Sequence, residues 1–405
     1  MSDTKYKVKY CILLPLVLAI TIFLWCCPAS FFGSLGDVLT VTQQRTIAIF
    51  AFAALMWIFE IVPNWVTSLM VIVISLLPIS DKSISFLMNT GDTSLFVPMK
   101  ELMRSFADPV VMLFLGGFTL AVMAQKYGLD VTLARILLAP FGKNPKFVLL
   151  GFLSVISLFS MFMSNTATAA MMLAFLAPIL ATFPEGDKGR IALTMSIPVA
   201  ANLGGIGTTI GTPPNGTAVQ NLETFFGSDM TISFGDWFIH MFPYVVIMIL
   251  VAWGVLLFFF PFSSKKLEIN IPENDKPTTW QTYCVWITFV ITILLWATEQ
   301  LHHVSSNVVA LVPLAVFVCT GCFDKEDIKQ IDWSVLWLVA GGFALGYAML
   351  DISKGGTGLG AALVNAIPFG DMSIILVFVV AGFVALFKKD AKRAMVTLCV
   401  VCAFV

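Results

Sequence analysis

Apolar runs recur along the whole chain and are separated by short polar stretches. A membrane-spanning helix needs about 20 mainly apolar residues. Runs that approach this length predict spans at 11–27, 46–61, 66–79, 109–124, 242–261, 283–298, 304–321 and 333–350, with a further, interrupted run at 191–226. The pattern therefore predicts an all-α polytopic membrane protein.

The run 147–183 has a different pattern, because the polar step Ser164-Asn165-Thr166 lies near its centre. Each half is short for a full crossing. Two thin spans and one re-entrant hairpin are both open, and the short halves with a polar tip favour the hairpin.

A second break follows between Asn202 and Asn215, where four glycines precede Thr212-Pro213-Pro214-Asn215. Lipid cannot satisfy the backbone groups that such breaks expose, so each break must be buried in protein or line a wet cavity. Two interrupted membrane helices in succession are typical of the binding site of a transporter.

The ends of broken helices offer sites for both signs of charge. We expect the first half of the hairpin to end near Met163, where free carbonyl groups carry partial negative charge. Ser164-Asn165-Thr166 then caps the next helix, whose free N–H groups carry partial positive charge. Oxygen ligands without a carboxylate suit an alkali cation, and facing helix N-termini suit a carboxylate or another anion.

Composition agrees with a membrane protein and excludes several other classes. Hydrophobic residues make up 59% and charged residues 12% of the chain, whereas soluble domains carry about 25% charged residues. With 23 basic and 24 acidic residues and no basic patch, a nucleic-acid partner is not expected. The sequence has no H-E-x-x-H motif and no aspartate pair within a span, so an enzyme is not expected either.

Basic residues are concentrated in alternate loops, as is typical of cytoplasmic loops. Lys5, Lys7 and Lys9 precede the first apolar run and place the N-terminus in the cytoplasm of a multi-pass protein of the inner (plasma) membrane. A cleaved signal peptide is the alternative, but no small-residue cleavage site follows the run. The cysteine pairs 319/322 and 399/402 are interpreted as small apolar residues, not as a metal site.

An internal repeat is visible between the two halves. The segment from Asp108 to Gly116-Gly117-Phe118 resembles the segment from Asp332 to Gly341-Gly342-Phe343. The loop charges give these segments opposite orientations, which predicts an inverted-topology repeat. The predicted organisation is N-terminal scaffold spans (1–107), a first transport repeat (108–226, with a hairpin at 147–183 and a broken helix at 191–226), second-half scaffold spans (227–331) and an incomplete second transport repeat (332–405).

Through the Ser-Asn-Thr step, the Thr-Pro-Pro-Asn loop and the Gly-Gly-Phe segments, the chain resembles the divalent anion:sodium symporter family of dicarboxylate, citrate and sulfate carriers. The resemblance implies an elevator-type homodimer that moves Na⁺ together with a dianion. It implies sodium ligands at Ser160, Ser164, Asn165, Gly204, Gly205 and Gly207. It implies contacts with a small anionic substrate at Asn165, Thr166, Thr212, Pro213, Pro214 and Asn215.

One departure from the family concerns the second Ser-Asn-Thr step, which we expect near 392–394. The chain has Lys392-Arg393-Ala394 there, in a run with four basic residues. We therefore expect an incomplete second repeat, as in a truncated or frame-shifted chain. The leading hypothesis is sodium-coupled symport of small di- or tricarboxylates such as succinate. An inactive fragment and a carrier of sulfate or another divalent anion are alternatives, and lithium or proton coupling stays open.

Overall fold

The computed structural model describes residues 8–36, 39–89, 95–181, 183–184, 186–226, 232–264, 266–267, 276–350, 355–360 and 362. Within these ranges the regular secondary structure is helical, and the β-type pairing is one isolated bridge between Ser80 and Val97. The predictions for residues 388–394 and for the cysteine pair 399/402 lie outside the described residues.

The α-helices of the described ranges are numbered here in chain order. They are α1 (Leu14–Cys26), α2 (Val41–Phe59), α3 (Asn64–Leu76), α4 (Ser85–Met88), α5 (Met99–Arg104), α6 (Pro109–Lys126), α7 (Leu129–Leu138), α8 (Pro145–Ser160), α9 (Asn165–Ala181), α10 (Gly189–Gly205), α11 (Pro213–Phe226), α12 (Phe234–Phe259), α13 (Trp280–Ala297), α14 (Glu299–His302), α15 (Ser306–Val309), α16 (Leu311–Cys319), α17 (Lys325–Gln330) and α18 (Trp333–Met349).

Five helical segments of the described chain are long and apolar enough to cross a bilayer. They are Val8–Cys26, Val41–Phe59, Met99–Lys126, Phe234–Phe259 and Trp280–Ala297, and shorter apolar helices accompany them. The prediction of an all-α polytopic membrane protein is therefore confirmed.

The predicted spans match these helices, but their ends differ where polar residues begin a helix. Helix α2 begins before the apolar run because Thr40 and Gln43 form a capping box, with Gln43 N donating to Thr40 Oγ at 3.3 Å. The predicted span 304–321 is divided between α15 and α16 at Ala310. Pro313 explains this division, because its ring clashes with the carbonyl four residues earlier in a regular helix.

The described residues form two compact units, one drawn from 1–108 together with the described part of 333–405, and the other from 109–332. The chain passes from one unit to the other at 108/109 and at 332/333, and each boundary lies within one residue of the start of a predicted repeat segment. The assignment of scaffold and transport roles to the four predicted parts stays a prediction.

In the first unit, α18 packs against α3 at a point of close backbone approach. A Cβ atom at Gly341 would collide with Ser68 of α3, and Ser68 Oγ donates to the carbonyl of Leu338 at 3.4 Å. At the end of α18, Tyr347 Oη donates to the buried carboxylate of Asp108 at 2.6 Å. An apolar cluster packs α1 against α2 in the same unit.

In the second unit, the apolar core lies among α8, α9, α10 and α12. Helices α8 and α10 approach closely because small residues face each other. Ser157 Oγ donates to the carbonyl of Ala200 at 2.9 Å, and a Cβ atom at Gly204 would lie 2.5 Å from Ser157 Cα. Only glycine fits at position 204 without moving a helix backbone.

The first glycine of each Gly-Gly-Phe helix has the same packing role. Gly116 of α6 meets the backbone of Ala310, just as Gly341 of α18 meets Ser68. The helix segments that receive these glycines follow residues with left-handed backbone, Glu60 (φ 46°) and His303 (φ 57°). These equivalent contacts support an internal repeat, whose opposite orientation in the membrane stays a prediction.

A polar cluster fixes the end of α6 to the start of α17. Lys126 Nζ lies 2.6 Å from Asp327 Oδ2 and 3.0 Å from Asp324 Oδ2, and it donates to the carbonyl of Cys322 at 3.0 Å. The Asp327 side chain is 3% exposed, whereas that of Asp324 is 58% exposed. The buried pair with Asp327 therefore carries most of the electrostatic stabilisation of this joint.

The turn between α9 and α10 is fastened to the segment after α12 by Asp187. Its buried carboxylate accepts hydrogen bonds from Gly189 N (2.8 Å), Ser263 N (3.3 Å), Ser264 N (3.1 Å) and Ser264 Oγ (2.8 Å). Burial alone would raise the pKa of Asp187, but these hydrogen bonds together lower its pKa below the ordinary value of 3.8. Asp187 is therefore ionised over the neutral pH range and stabilises this turn.

Candidate ion and substrate site

Both predicted helix breaks occur in the structure, and both lie in the second compact unit. Helix α8 ends at Ser160 and α9 begins at Asn165, while α10 ends at Gly205 and α11 begins at Pro213. The first break begins earlier than the predicted end near Met163, because the next residues form a tight turn. In this turn Met163 N donates to the carbonyl of Phe159 at 2.9 Å.

Three oxygen atoms meet at the first break. Ser160 is fully buried, and its Oγ lies 2.6 Å from Asn165 Oδ1 and 2.6 Å from the carbonyl oxygen of Ala201 in α10. A hydroxyl group has a single proton to donate. In this arrangement one of the two close oxygen pairs has no proton between its members, and a cation would relieve that repulsion.

The amide of Asn165 is held from its other side by α10. Asn165 Nδ2 donates to Asn202 Oδ1 at 3.2 Å, and Asn202 is exposed. A Cβ atom at Gly205 would lie 2.7 Å from Asn165 Oδ1. The end of α10 therefore leaves room for this amide only because residue 205 is glycine.

Ser164 and Thr166 flank Asn165 at the start of α9. Ser164 Oγ accepts a hydrogen bond from Ala167 N at 3.2 Å, which is the N-cap role expected of serine. Thr166 is exposed on the first turn. The Ser-Asn-Thr step thus supplies a cap, an amide in the oxygen cluster and an exposed hydroxyl, in that order.

The loop of the second break is closed by Asn215. Its Nδ2 donates to the carbonyls of Gly205 (2.8 Å) and Thr208 (2.7 Å), so both of its amide protons are used within the loop. Thr208 Oγ in turn donates to the carbonyl of Met161. These bonds join the second break to the end of α8 and make the two breaks one structural site.

The other predicted site residues lie around this loop. Gly207 is buried beside Met161, where an added Cβ atom would lie 2.8 Å from the end of that side chain. Thr212 precedes α11, and Pro213 and Pro214 form its first turn, where Pro214 is exposed. Proline suits this position because the first helical N–H groups have no partner within the helix.

Sequence reasoning did not assign roles to Ala201, Asn202, Thr208 or Trp237. Trp237 Nε1 donates to the carbonyl of Ile206 at 2.9 Å and so supports the loop from α12. Asn202 and Thr208 were part of the recognised break, so their polarity was the available signal. The sequence around Ala201 and Trp237 does not indicate the roles of this carbonyl and this indole, because both roles depend on how the helices pack.

The electrostatics of this site come from uncharged groups. Its hydroxyl, amide and carbonyl oxygens carry no formal charge, and the N-termini of α9 and α11 carry partial positive charge. In the described part of the chain there is no group of three or more His, Cys, Asp or Glu side chains that could hold a metal ion. Thr168 and Thr209 are buried near these helix starts, and among the described residues their hydroxyl oxygens have no hydrogen-bond partner.

Comparison with known proteins identifies the class of protein. The sequence profile of the citrate transporter family matches residues 54–405. An uncharacterized transporter of Schizosaccharomyces pombe is 32% identical over 75% of this chain and 34% of its own length. The inorganic phosphate transporter PHO87 of Saccharomyces cerevisiae is 28% identical over 80% of this chain and 36% of its own length.

A bacterial relative is named for a different substrate. The sodium-dependent dicarboxylate transporter SdcS of Staphylococcus saprophyticus is 27% identical over 74% of this chain and 61% of its own length. The chain thus spans about a third of the two fungal relatives and less than two thirds of the bacterial one. From the extent of the profile match, the chain belongs to the citrate transporter family, and its long apolar helices make it a multi-pass membrane protein.

Proposed function

We propose that this chain carries a small dicarboxylate dianion, such as succinate, together with Na⁺ as co-substrate. The observation that supports this most directly is the oxygen cluster of Ser160, Asn165 and Ala201, which has fewer protons than close oxygen contacts. Carbonyl oxygens at unwound helix ends and neutral side-chain oxygens are the groups that hold Na⁺ in broken-helix transporters. Ser164 and the backbone of Gly204, Gly205 and Gly207 complete the proposed sodium site.

The proposed anion site lies at the N-termini of α9 and α11. Asn165 and the exposed Thr166 offer polar groups at the first, and Thr212, Pro213 and Pro214 surround the start of the second. Helix N-termini bind carboxylates because free N–H groups and the helix dipole both favour negative charge. Asn215 serves this site by fixing the loop, since its amide protons are donated to loop carbonyls.

Coupling to Na⁺ has a physical reason in this site. The proposed ligands are uncharged, so a dianion gains compensation from partial helix charges and from the co-bound cation. Each net positive charge that moves inward across 100 mV releases about 2.3 kcal/mol. Moving more sodium charge than anion charge would therefore drive accumulation, and the sodium-dependent relative is consistent with this coupling.

Inorganic phosphate is the second candidate substrate. The fungal phosphate transporter aligns with 80% of this chain, a larger share than the bacterial dicarboxylate transporter covers. Helix N-termini bind phosphate and carboxylate through the same N–H groups. Sulfate, another tetrahedral divalent anion, belongs to the same class of alternative.

We also propose the assembly and location that go with this function. The concentration of basic residues in alternate loops supports a plasma-membrane protein with a cytoplasmic N-terminus. A homodimer with an elevator-type movement is the arrangement implied by the family resemblance.

Uptake into proteoliposomes tests the proposal. The full chain is reconstituted, and uptake of labelled succinate, phosphate and sulfate is measured with external NaCl, LiCl or choline chloride, at equal and at unequal pH. Succinate uptake that requires NaCl is the expected result. Uptake of phosphate but not of succinate would replace the substrate, and uptake that is equal in choline chloride would refute sodium coupling.

A further inference from the structure

A chain of three side chains leads from the buried oxygen cluster to the surface of the site. Ser160, which is fully buried, contacts Asn165, which is half-buried, and Asn165 contacts Asn202, which is exposed. The first two residues belong to the proposed sodium site. The third has no role in that site, and its position at the exposed end requires an explanation.

The two amides can adopt two mutually exclusive orientations. In the orientation of the structure, Asn165 turns its oxygen towards Ser160 and its NH₂ group towards the oxygen of Asn202. Half a turn of both amides exchanges oxygen and nitrogen at each position. Asn165 would then donate to Ser160, whose single proton would go to the carbonyl of Ala201.

A cation in the oxygen cluster selects between these orientations. The orientation of the structure directs three oxygens towards the cluster, which suits a cation. The reversed orientation places the NH₂ group of Asn165 there instead, which satisfies the hydrogen bonds of Ser160 without a cation but repels one. Occupancy by Na⁺ therefore favours the first orientation of both amides.

The orientation of Asn202 decides what the exposed end presents. When its oxygen accepts from Asn165, the NH₂ group of Asn202 is left to the exposed side and can donate to an anionic oxygen. In the reversed orientation its oxygen is on that side and repels an anion. A neutral side chain can thus change from repelling to binding an anion without any change in protonation.

We propose that Asn202 is a positioning residue that links cation occupancy to recognition of the anion. This inference rests on the proposed function. Asn202 orients the Asn165 amide for the cation, and it offers its NH₂ group to a carboxylate or phosphate oxygen when the cation is bound. The chemical class of the partner is an anion with exposed oxygens, whichever of the two candidate substrates is correct.

Variants of Asn202 separate these two roles. In N202D the carboxylate can only accept from Asn165, so it holds that amide in the orientation that suits the cation, and we expect a half-saturating sodium concentration equal to or lower than that of wild type. The same variant presents negative charge to the anion, and we expect the KM for succinate to rise at least about tenfold, which corresponds to about 1.4 kcal/mol. In N202A both values rise, because Asn165 loses its partner.

T194A is the matched control. Thr194 is exposed on the same helix, and its hydroxyl donates within that helix to the carbonyl of Arg190 at 2.8 Å. Both constants are measured in proteoliposomes, and sodium binding is measured independently as a shift of Tm in detergent with NaCl against choline chloride. T194A should match wild type in both assays, and a purely structural role of Asn202 would lower Tm without separating the two constants.

Three outcomes are decisive. Separation of the sodium and succinate constants in N202D, with both raised in N202A, supports the link. If wild type responds to Na⁺ and the N202D and T194A variants have equal constants, the role of Asn202 is refuted while the proposed function stands. If wild type shows no sodium response in either assay, the proposed function fails and the inference fails with it. N202D alone decides the question should N202A not fold.

Discussion

Replacing Ser160 by alanine removes one buried hydroxyl from the end of α8. Ser157, one turn earlier, has an almost identical environment, because it is also buried and also donates to a carbonyl of α10. Ser157 donates to the carbonyl of Ala200, and Ser160 donates to that of Ala201. The difference between them is that Ser160 also contacts the side chain of Asn165. S157A is therefore the matched control for S160A.

The structure predicts the size of both effects. Each variant loses one buried hydrogen bond to a carbonyl, at 2.6 Å for Ser160 and 2.9 Å for Ser157, and each should lose about 0.5–1.5 kcal/mol of stability. S160A additionally loses an oxygen directed at a cation. Interactions of this kind with charged groups contribute about 1.5–3 kcal/mol, so sodium affinity should fall by about 10- to 160-fold. S157A should keep the sodium affinity of wild type.

The assay compares Tm values of the purified full chain over a series of NaCl concentrations, at constant ionic strength with choline chloride. Both variants should show a similar, small decrease of Tm without Na⁺, and the sodium-induced increase should move to higher concentrations in S160A alone. Equal sodium dependence of S160A and S157A would show that Ser160 has only a packing role. The assignment of the cation to this cluster would then be wrong.

Five further substitutions test other parts of the structure. G205A should weaken sodium binding with a modest loss of stability, because its Cβ atom contacts a movable amide. G204A should prevent folding, because its Cβ atom collides with helix backbone. Size-exclusion profiles and sodium-dependent Tm values distinguish the two variants. D187N should lower stability by about 1–3 kcal/mol at pH 7. Since the lowered pKa of Asp187 gives stability that is present above about pH 4 and lost as the pH falls further, the Tm of D187N should decrease less on acidification than that of wild type. K126M leaves the buried carboxylate of Asp327 without its cation and should lower the free energy of unfolding by about 1–3 kcal/mol. K329M removes an exposed ion pair and should lower it by less than about 1 kcal/mol. Equal Tm values for the two variants would contradict the argument from burial.

The helix breaks were predictable because they have local causes. Ser164 caps a helix through its own hydroxyl, and Pro213 begins one through its missing N–H group, so the sequence around each residue carries the signal. The apolar runs likewise predicted the spans. Polar first turns such as that of α2 shifted their ends, because an apolar run does not include a cap.

The meeting of the two breaks was not predictable in the same way. Ser160 contacts Ala201 because α8 and α10 pack in one register, and that register depends on the close approach at Gly204. Asn202 was recognised as polar, but its role depends on which face of α10 it occupies. The division of 304–321 at Ala310 is different, because Pro313 is a local signal that the sequence contains, although the apolar run alone does not reveal it.

The packing of the Gly-Gly-Phe helices has a consequence for biosynthesis. The face of α3 around Ser68 contacts Gly341, which the ribosome adds about 270 residues later. At roughly 5–20 residues per second, this face is therefore without its partner for about 14–55 s. Helix α6 is likewise synthesised before the segment around Ala310, which its Gly116 contacts. Insertion of the early helices into the bilayer must therefore precede their final association. During that interval their small-residue faces are open to other nascent membrane proteins and to factors that shield polar groups in lipid.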